Sequence, residues 1–595
     1  MSIGRPLRSS GKLSGQIFFW STALICVLGL LLVYKINSDI RVSYYAHGGF
    51  IYFDTLSYIS SANAAFAGLS EQGLWQWLGE RMRTVAPLSE MFSAIVYPDA
   101  LNSTRPFAPL TLVAMATFGI CLADRVRLSR IPLLPLPIVL LSLVFSAFGL
   151  AVYGGSSDTW LESGSLWLIG GALITWVSAL QQSCVRRAVV AGVLVACALA
   201  TRETAVVLTS SAFIVVFAIC AGAKLWPVVA TGQPIARPAL RLISLGIAFG
   251  LPVIFVGLLL LGVQYDAIAA RASRNVGVDL FAERSRIIPY IWHSRLLDTG
   301  LLWFVGLVAI APVLSALNLV PERLRQSSIA LTGAIYRTLG APPPILLPRW
   351  TGIVALTACL VFFNLTVYLL GIAYHSINIL NTLFLVILLL EISCSVRRDT
   401  ALLYLALAVP AGAFLVFGSL DYYTTEANRQ VRAFYERRIQ YEEISEVLNR
   451  HKPSIAGLYF ESGAPILSVY ARHFSSQPIN TPLAPSPKQH GRVLAVSQPD
   501  LTLDGWVDFY MEPVRRPGAI VFTYCSSADI DASLESGLWT PADIEIPAAI
   551  LRGTLSELER EGWERTATLS PVRRHEIGGQ VCAFRHPETS SLGSP

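Results

Sequence analysis

The residues able to do chemistry are few, and they stand beside apolar segments. Asp54 lies in GGFIYFDTLSYISSANAA, residues 48–65, among aromatic side chains just past the first apolar run. A carboxylate there can take a proton from an attacking hydroxyl or amine as a general base; a solvated surface acid is the other reading. Tyr58 follows one helical turn later, so on a helix it shares a face with Asp54. Ser60, Ser61, Ala62, Ala64 and Ala65 come next, small enough for a helix to pack closely. Arg202 and Glu203 interrupt the apolar stretch CALATRETAVVL. One helix cannot carry that pair through hydrocarbon cheaply, so a turn at a membrane surface is expected there. Arg271 and Arg274 belong to an arginine-bearing loop, 263–300, which is either a solvated loop or an anion site for phosphate.

The elements that must position these residues are set by composition. The chain has 595 residues, 53% hydrophobic and 14% charged, where a soluble chain carries about 25% charged residues. Mean hydropathy is +0.55. Both values indicate a polytopic α-helical membrane protein. The net charge of +6 is small for this length, and no basic run interleaved with aromatics suggests a nucleic-acid partner. Apolar runs predict about eleven membrane helices, near 16–36, 106–123, 131–152, 163–182, 188–202, 205–222, 241–262, 301–320, 351–370, 377–395 and 400–419. The first run is long enough to span, and no small-residue cleavage site follows it, so an uncleaved helix is expected.

Lysine and arginine set the expected orientation. Arg5, Arg8 and Lys12, then Arg125, Arg127 and Arg130, then Arg186 and Arg187, then Lys224, Arg237 and Arg241 mark alternate loops as cytoplasmic. The short loops 153–162 and 371–376 carry neither residue. The long loop 37–105, with Asp54, then faces outward. Within it, ISSANAAFAGL and EQGLWQWLGERM predict two amphipathic helices on the membrane surface, with Trp75 and Trp77 at the interface.

Residues 421–585 change character. SIAGLYF, RVLAVS, GAIVFTYC, ERTATLS and GGQVCAF read as strands. ANRQVRAFYERRIQYEEISEVLNR, APILSVYARHF and AILRGTLSELEREG read as helices. A soluble α/β domain follows, on the outer side, with a disordered tail at 586–595. Seven of the nine cysteines fall in or beside membrane helices; Cys525 and Cys582 fall on predicted strands and are a disulfide candidate in an oxidising compartment. There is no CxxC, no P-loop and no internal repeat.

In membrane residues 1–420 the order and sidedness of short motifs resemble the GT-C glycosyltransferases, polytopic enzymes that use polyprenyl-phosphate sugars. Protein O-mannosyltransferases and lipid A aminoarabinose transferases are examples. The resemblance rests first on D-x-x-x-Y with small residues after the first helix; where many members read Asp-Glu, this chain reads Asp54-Thr55. TRPFAPLTLVAMATFG resembles the family's basic-Pro-Pro-Leu opening of the second helix. That gives Arg105 a lipid-phosphate role, against an interfacial arginine snorkelling at a helix end. YGGSSDTWLES matches a short outer loop where members carry an acid that orients the acceptor or holds a metal. Asp158 and Glu162 are the candidates, against Asp158 as a helix cap. Arg202 matches a polar turn, as a phosphate contact or as half of a structural turn with Glu203. His375, after Tyr374, stands where members often read Arg-Tyr, contacting phosphate or acceptor or sitting at the interface.

The resemblance implies a sugar on a polyprenyl-phosphate donor in a bacterial plasma membrane. The acceptor would be an envelope glycan, glycolipid or protein on the outer face. Asp54 would be the base, with inversion at the anomeric carbon. Tyr58, Arg105, Arg202, Arg271, Arg274 and His375 would serve the donor, Asp158 the catalysis, and Glu162 the acceptor. No cofactor is expected, since DxD and ExD pairs are lacking in the 153–163 loop; divalent-metal dependence stays open. The rival readings are a lipid-linked glycan transporter or flippase, a polysaccharide ligase or polymerase, and a non-catalytic envelope-binding protein.

Overall fold

The computed structural model describes residues 16–32, 35, 68, 69, 71, 73–82, 87–96, 108–129, 131, 133–144, 161–275, 301–339, 350–370, 376–460, 481–484, 502–535, 541–570 and 579–587. Contacts divide the chain into two compact units; among the described residues the second takes in 269–275 and everything from Glu426 on, and the first takes the rest.

The first unit is helical. Its helices are α1 (Gln16–Leu32), α2 (Leu74–Arg81), α3 (Pro87–Val96), α4 (Ala108–Val126), α5 (Pro135–Val144), α6 (Leu161–Gln182), α7 (Val185–Thr201), α8 (Glu203–Ala230), α9 (Ala236–Asn275), α10 (Leu301–Ala316), α11 (Glu322–Leu339), α12 (Trp350–Leu370) and α13 (Ser376–Ser395), followed by the start of α14 (Ala401–His451). A helix overlaps each of the eleven predicted apolar segments. Among the described residues, five helices are long and apolar enough to cross a membrane: α4, α6, α8, α9 and the start of α14. Four further apolar helices are shorter.

Several predicted boundaries move. The segment predicted over 205–222 extends to Ala230, carrying Pro227 inside the helix. The one predicted to end at 262 continues to Asn275, so Arg271 and Arg274 lie on helical backbone rather than in a loop, in the part of α9 from Ala269 on that belongs to the second unit. The last apolar helix does not stop near 419: α14 runs for 51 residues without a break and takes in the predicted 427–450 helix. A sequence reading splits both α9 and α14 because hydropathy falls along them, but the backbone hydrogen-bond ladder needs no apolar side chains to continue. Helices α3 and α11 were not predicted. Both are amphipathic; α3, at 10 residues, is too short for a spanning window and α11 is too polar for one, and α3 opens with Pro87, whose missing N–H costs nothing in a first turn.

The core of this unit is organised around α6. Its apolar window is entirely buried, whereas that of α9 is only 6% buried. Helices α4, α6 and α13 run in the same direction. Leu110 meets Gly164, Phe118 meets Trp167 and Gly170, and Leu383 also meets Gly170. Farther along, Arg125 of α4 meets Glu391 of α13. Helix α7 runs antiparallel to α6, pairing Leu194 with Gly171 and Thr201 with Gly164.

The second unit holds a five-stranded mixed sheet in the order β2-β1-β3-β5-β4, built from β1 (Ala456–Leu458), β2 (Leu483–Ala484), β3 (Ile520–Tyr524), β4 (Glu564–Thr568) and β5 (Val581–Arg585). Strand β1 is parallel to β2 and β3; β5 is antiparallel to β3 and β4. The central strand reads IVFTY and is buried throughout, as expected for a strand covered on both faces. Helices α16 (Ser527–Glu535) and α17 (Pro541–Arg560) pack against it, α15 (Leu503–Met511) packs against α17, and the end of α14 adds Tyr441, Ile444, Val447 and Leu448 to the same core. Cys525 and Cys582 form a disulfide, with Cα atoms 5.0 Å apart. The segments RVLAVS and APILSVYARHF lie outside the described residues. His586 is not part of a free tail: its backbone N–H donates to the Ala519 carbonyl, and its ring packs edge-on against Trp563.

Candidate functional site

Asp54, Tyr58, Arg105, Asp158 and His375 lie outside the described residues. Glu162, Arg271 and Arg274 are placed on helical backbone only: Glu162 in the first turn of α6, the two arginines in the last turns of α9. Arg202 is described fully, and the turn expected there is present. Helix α7 ends at Thr201, Arg202 alone is extended (φ −163°, ψ 112°), and α8 begins at Glu203. The N–H of Arg202 still bonds back to Ala198, completing the last turn of α7, and its extended backbone then breaks the helix and turns the chain into α8.

At that turn several elements converge. A methyl group added to Gly164, two residues past Glu162, would lie 3.4 Å from Leu110 of α4 and 3.4 Å from Thr201 of α7. The starts of α4, α6 and α8 and the end of α7 therefore share one end of the bundle, called here the Gly164 end. Helix α13, parallel to α4 and α6, begins toward it as well. Helix starts leave backbone N–H groups unpaired and carry partial positive charge, so several starts pointing one way favour an anion.

Helix α3 closes onto this end. Ser89, buried, donates to the Thr201 carbonyl at 3.3 Å. Glu90, 3% exposed, pairs with Arg81 of α2 at 3.3 Å. Sequence reasoning missed Arg81, Ser89 and Glu90. The available signal was an acid in the first turn of a proline-started helix, PLSE, where it suits the helix dipole. Helix α2 forms within the segment EQGLWQWLGERM, where an amphipathic helix was expected. Trp75 is 84% exposed, but Trp77 is fully buried and anchors the helix instead of facing an interface.

The opposite end, the Arg125 end, is closed by charge. Arg125 and Glu391 are each 1% exposed. The Arg125 Nε donates to Glu391 Oε1 at 2.5 Å, and a second guanidinium nitrogen donates to Oε2. Gly352 of α12 lets this pair sit against Gln181 of α6: an added methyl group would be 2.8 Å from Glu391 Oε2 and 2.6 Å from Gln181 Nε2. Both side-chain polar atoms of Gln181 are buried without a hydrogen-bond partner among the described residues. Beside this pair, Asp124 accepts from Arg187 and Arg127.

Exposed tryptophans mark both ends. Trp20, Trp226 and Trp350 lie toward the Arg125 end and Trp75 and Trp303 toward the other, each more than half exposed. Indole rings favour the boundary between hydrocarbon and water. Among the described residues no cluster of histidine, cysteine or carboxylate has the make-up of a metal site. Compared with known families and with curated proteins, the sequence matches no family model and no curated sequence.

Proposed function

We propose that this chain is a polytopic membrane glycosyltransferase that moves a sugar from a polyprenyl-phosphate donor to an acceptor on the far side of the membrane. The observation that carries the reading is the Gly164 end of the bundle. The helices that follow Arg105, Asp158 and His375 in the sequence start toward one end, and Arg202 turns there. A donor phosphate placed at that end would meet helix starts and arginine, which stabilise a leaving phosphate. The exposed apolar faces of the outer helices support a lipid-embedded bundle of about eleven spans, with the Arg125 end cytoplasmic.

In this reading Asp54 removes the proton of the acceptor hydroxyl or amine. The freed lone pair attacks the anomeric carbon from the face opposite the phosphate. The bond from that carbon to the phosphate oxygen breaks, and polyprenyl phosphate leaves with both electrons. The sugar is transferred with inversion.

The test is transfer by purified protein in nanodiscs, with a panel of radiolabelled polyprenyl-phosphate sugars and envelope extract as acceptor. Asp54→Asn is expected to lower transfer by 100-fold or more, on the order of a lost general base, with thermal stability unchanged. Undiminished transfer by the variant would remove Asp54 as base while leaving the enzyme class standing. Sugar translocation without transfer would favour the transporter reading.

A further inference from the structure

We infer that the Arg125 end of the bundle carries a binding site for an anionic phospholipid, formed by Arg186 of α7, Lys224 of α8 and Arg241 of α9. Three consecutive helices bring these cations to one end of the bundle. Lys224 donates to Ser183, in the turn that opens α7, at 2.6 Å. Arg241 lies within electrostatic reach of Lys224. Arg186 follows Ser183 by three residues and is exposed, as is Arg241.

Among the described residues no carboxylate pairs with these cations. Between Ser183 and Arg241 the only acid is Glu203, and it starts α8 at the opposite end. The nearby Asp124 is already shared by Arg127 and Arg187. Among the described residues, Arg186, Lys224 and Arg241 have no ion-pair partner. Three like charges held on packed helices repel one another, and an anion seated among them relieves that repulsion.

The surroundings select a lipid over a soluble anion. Trp226, two residues past Lys224, is 74% exposed. Below the cations, Val185, Val189 and Val193 form an exposed stripe along α7, and Ile243 and Ile247 do so on α9. A phosphate headgroup among the cations would leave its acyl chains against those stripes. Basic pockets between membrane helices bind anionic headgroups in this way.

This inference rests on the bundle spanning a bilayer, and the experiment separates the two. Detergent-purified protein is incubated with vesicles of phosphatidylcholine alone or mixed with phosphatidylglycerol. Flotation reports membrane insertion, and native mass spectrometry reports retained lipid. Failure to float with either vesicle would remove the membrane reading itself. Insertion is expected in both, with selective retention of phosphatidylglycerol. The variant R186Q/K224Q/R241Q is expected to insert normally and to lose that selectivity by on the order of 100-fold, at about one charge interaction per residue. Equal retention of both lipids by the wild type, or unchanged selectivity in the variant, would overturn the site. Release of the lipid by inorganic phosphate at low concentration would assign the cations to a soluble anion instead. The single variants R186Q and R241Q, both at exposed positions, give a partial loss if the triple variant does not fold. Arg552→Gln, at a surface ion pair of the second unit, is the control that changes nothing.

Discussion

The helical bundle and the sheet-containing unit bury their side chains by opposite rules. In the bundle, α9 leaves Leu240, Ile243, Ile247, Leu251, Ile254 and Leu258 exposed at helical spacing, each by more than half. In the second unit only Leu503 and Phe509 are exposed among the described large apolar side chains. Water would not tolerate the first pattern on a stable monomer, because contiguous apolar patches of that extent drive association. The polar interior differs too. Among the described residues the bundle buries three charged side chains, Glu90, Arg125 and Glu391, and the second unit buries none. An apolar surround offers no drive for helices to associate beyond packing and hydrogen bonds, so polar ties and close backbone contact do more of the holding. The second unit is held by apolar burial and a covalent tie.

The sharpest way to break this contrast is to remove one half of the bundle's buried ion pair. Glu391→Ala leaves Arg125 charged, unpaired and buried, and is expected to destabilise the bundle by about 3–5 kcal/mol. Replacing both partners with apolar residues is expected to recover most of that. Thermal unfolding in detergent reads both effects; a stable single variant would show that the pair holds nothing.

The counterpart in the second unit is the Cys525–Cys582 disulfide, whose cysteines are 57 residues apart. Chain entropy over such a loop corresponds to about 4 kcal/mol. Serine at both positions is expected to lower the unfolding transition of this unit alone. A shift of the bundle's transition instead would contradict the division into two units.

Close backbone contact gives a smaller effect. A methyl group on Gly192 of α7 would lie 2.2 Å from the Phe249 carbonyl oxygen of α9. Gly192→Val is expected to cost about 1–3 kcal/mol through overpacking. At Gly164, where the same methyl meets side chains at 3.4 Å, alanine is expected to change stability by less than about 0.5 kcal/mol. Equal responses at the two glycines would mean that the α7–α9 approach is looser than described.

The smallest expected effect is on pH dependence. His451 has its pKa lowered from the ordinary histidine value by burial, with Arg585 and Arg450 adding to the effect. The unfolded chain therefore takes up the proton more readily than the folded one. The stability of the second unit should be complete above the ordinary histidine pKa and decline as pH falls through it, levelling once the folded form is also protonated. His451→Asn should flatten that decline, measured by unfolding between neutral and mildly acidic pH.

Much of this was legible in the sequence. Hydropathy anticipated a helix overlapping each apolar segment, because in an apolar surround a backbone satisfies its own hydrogen bonds within a helix; among the described residues five of these helices are long and apolar enough to span. The Arg202 turn was readable because a charged pair between two apolar runs has one inexpensive position. Cys525 and Cys582 stood out as the two cysteines on predicted strands; Cys525 lies just past the end of β3. What the sequence left open was decided by contacts between distant segments. Arg125 and Glu391 are 266 residues apart, and nothing in either neighbourhood identifies the partner. Hydropathy passes both α6 and α9 as spans, α9 being the more apolar, yet α6 is the centre of the bundle and α9 its outer face. Glycines and side-chain shape decide that, and they act only once the helices meet. The convergence of Ser89, Gly164 and Thr201 belongs to the same class: composition fixes the elements and the medium they suit, while packing selects which helix ends come together.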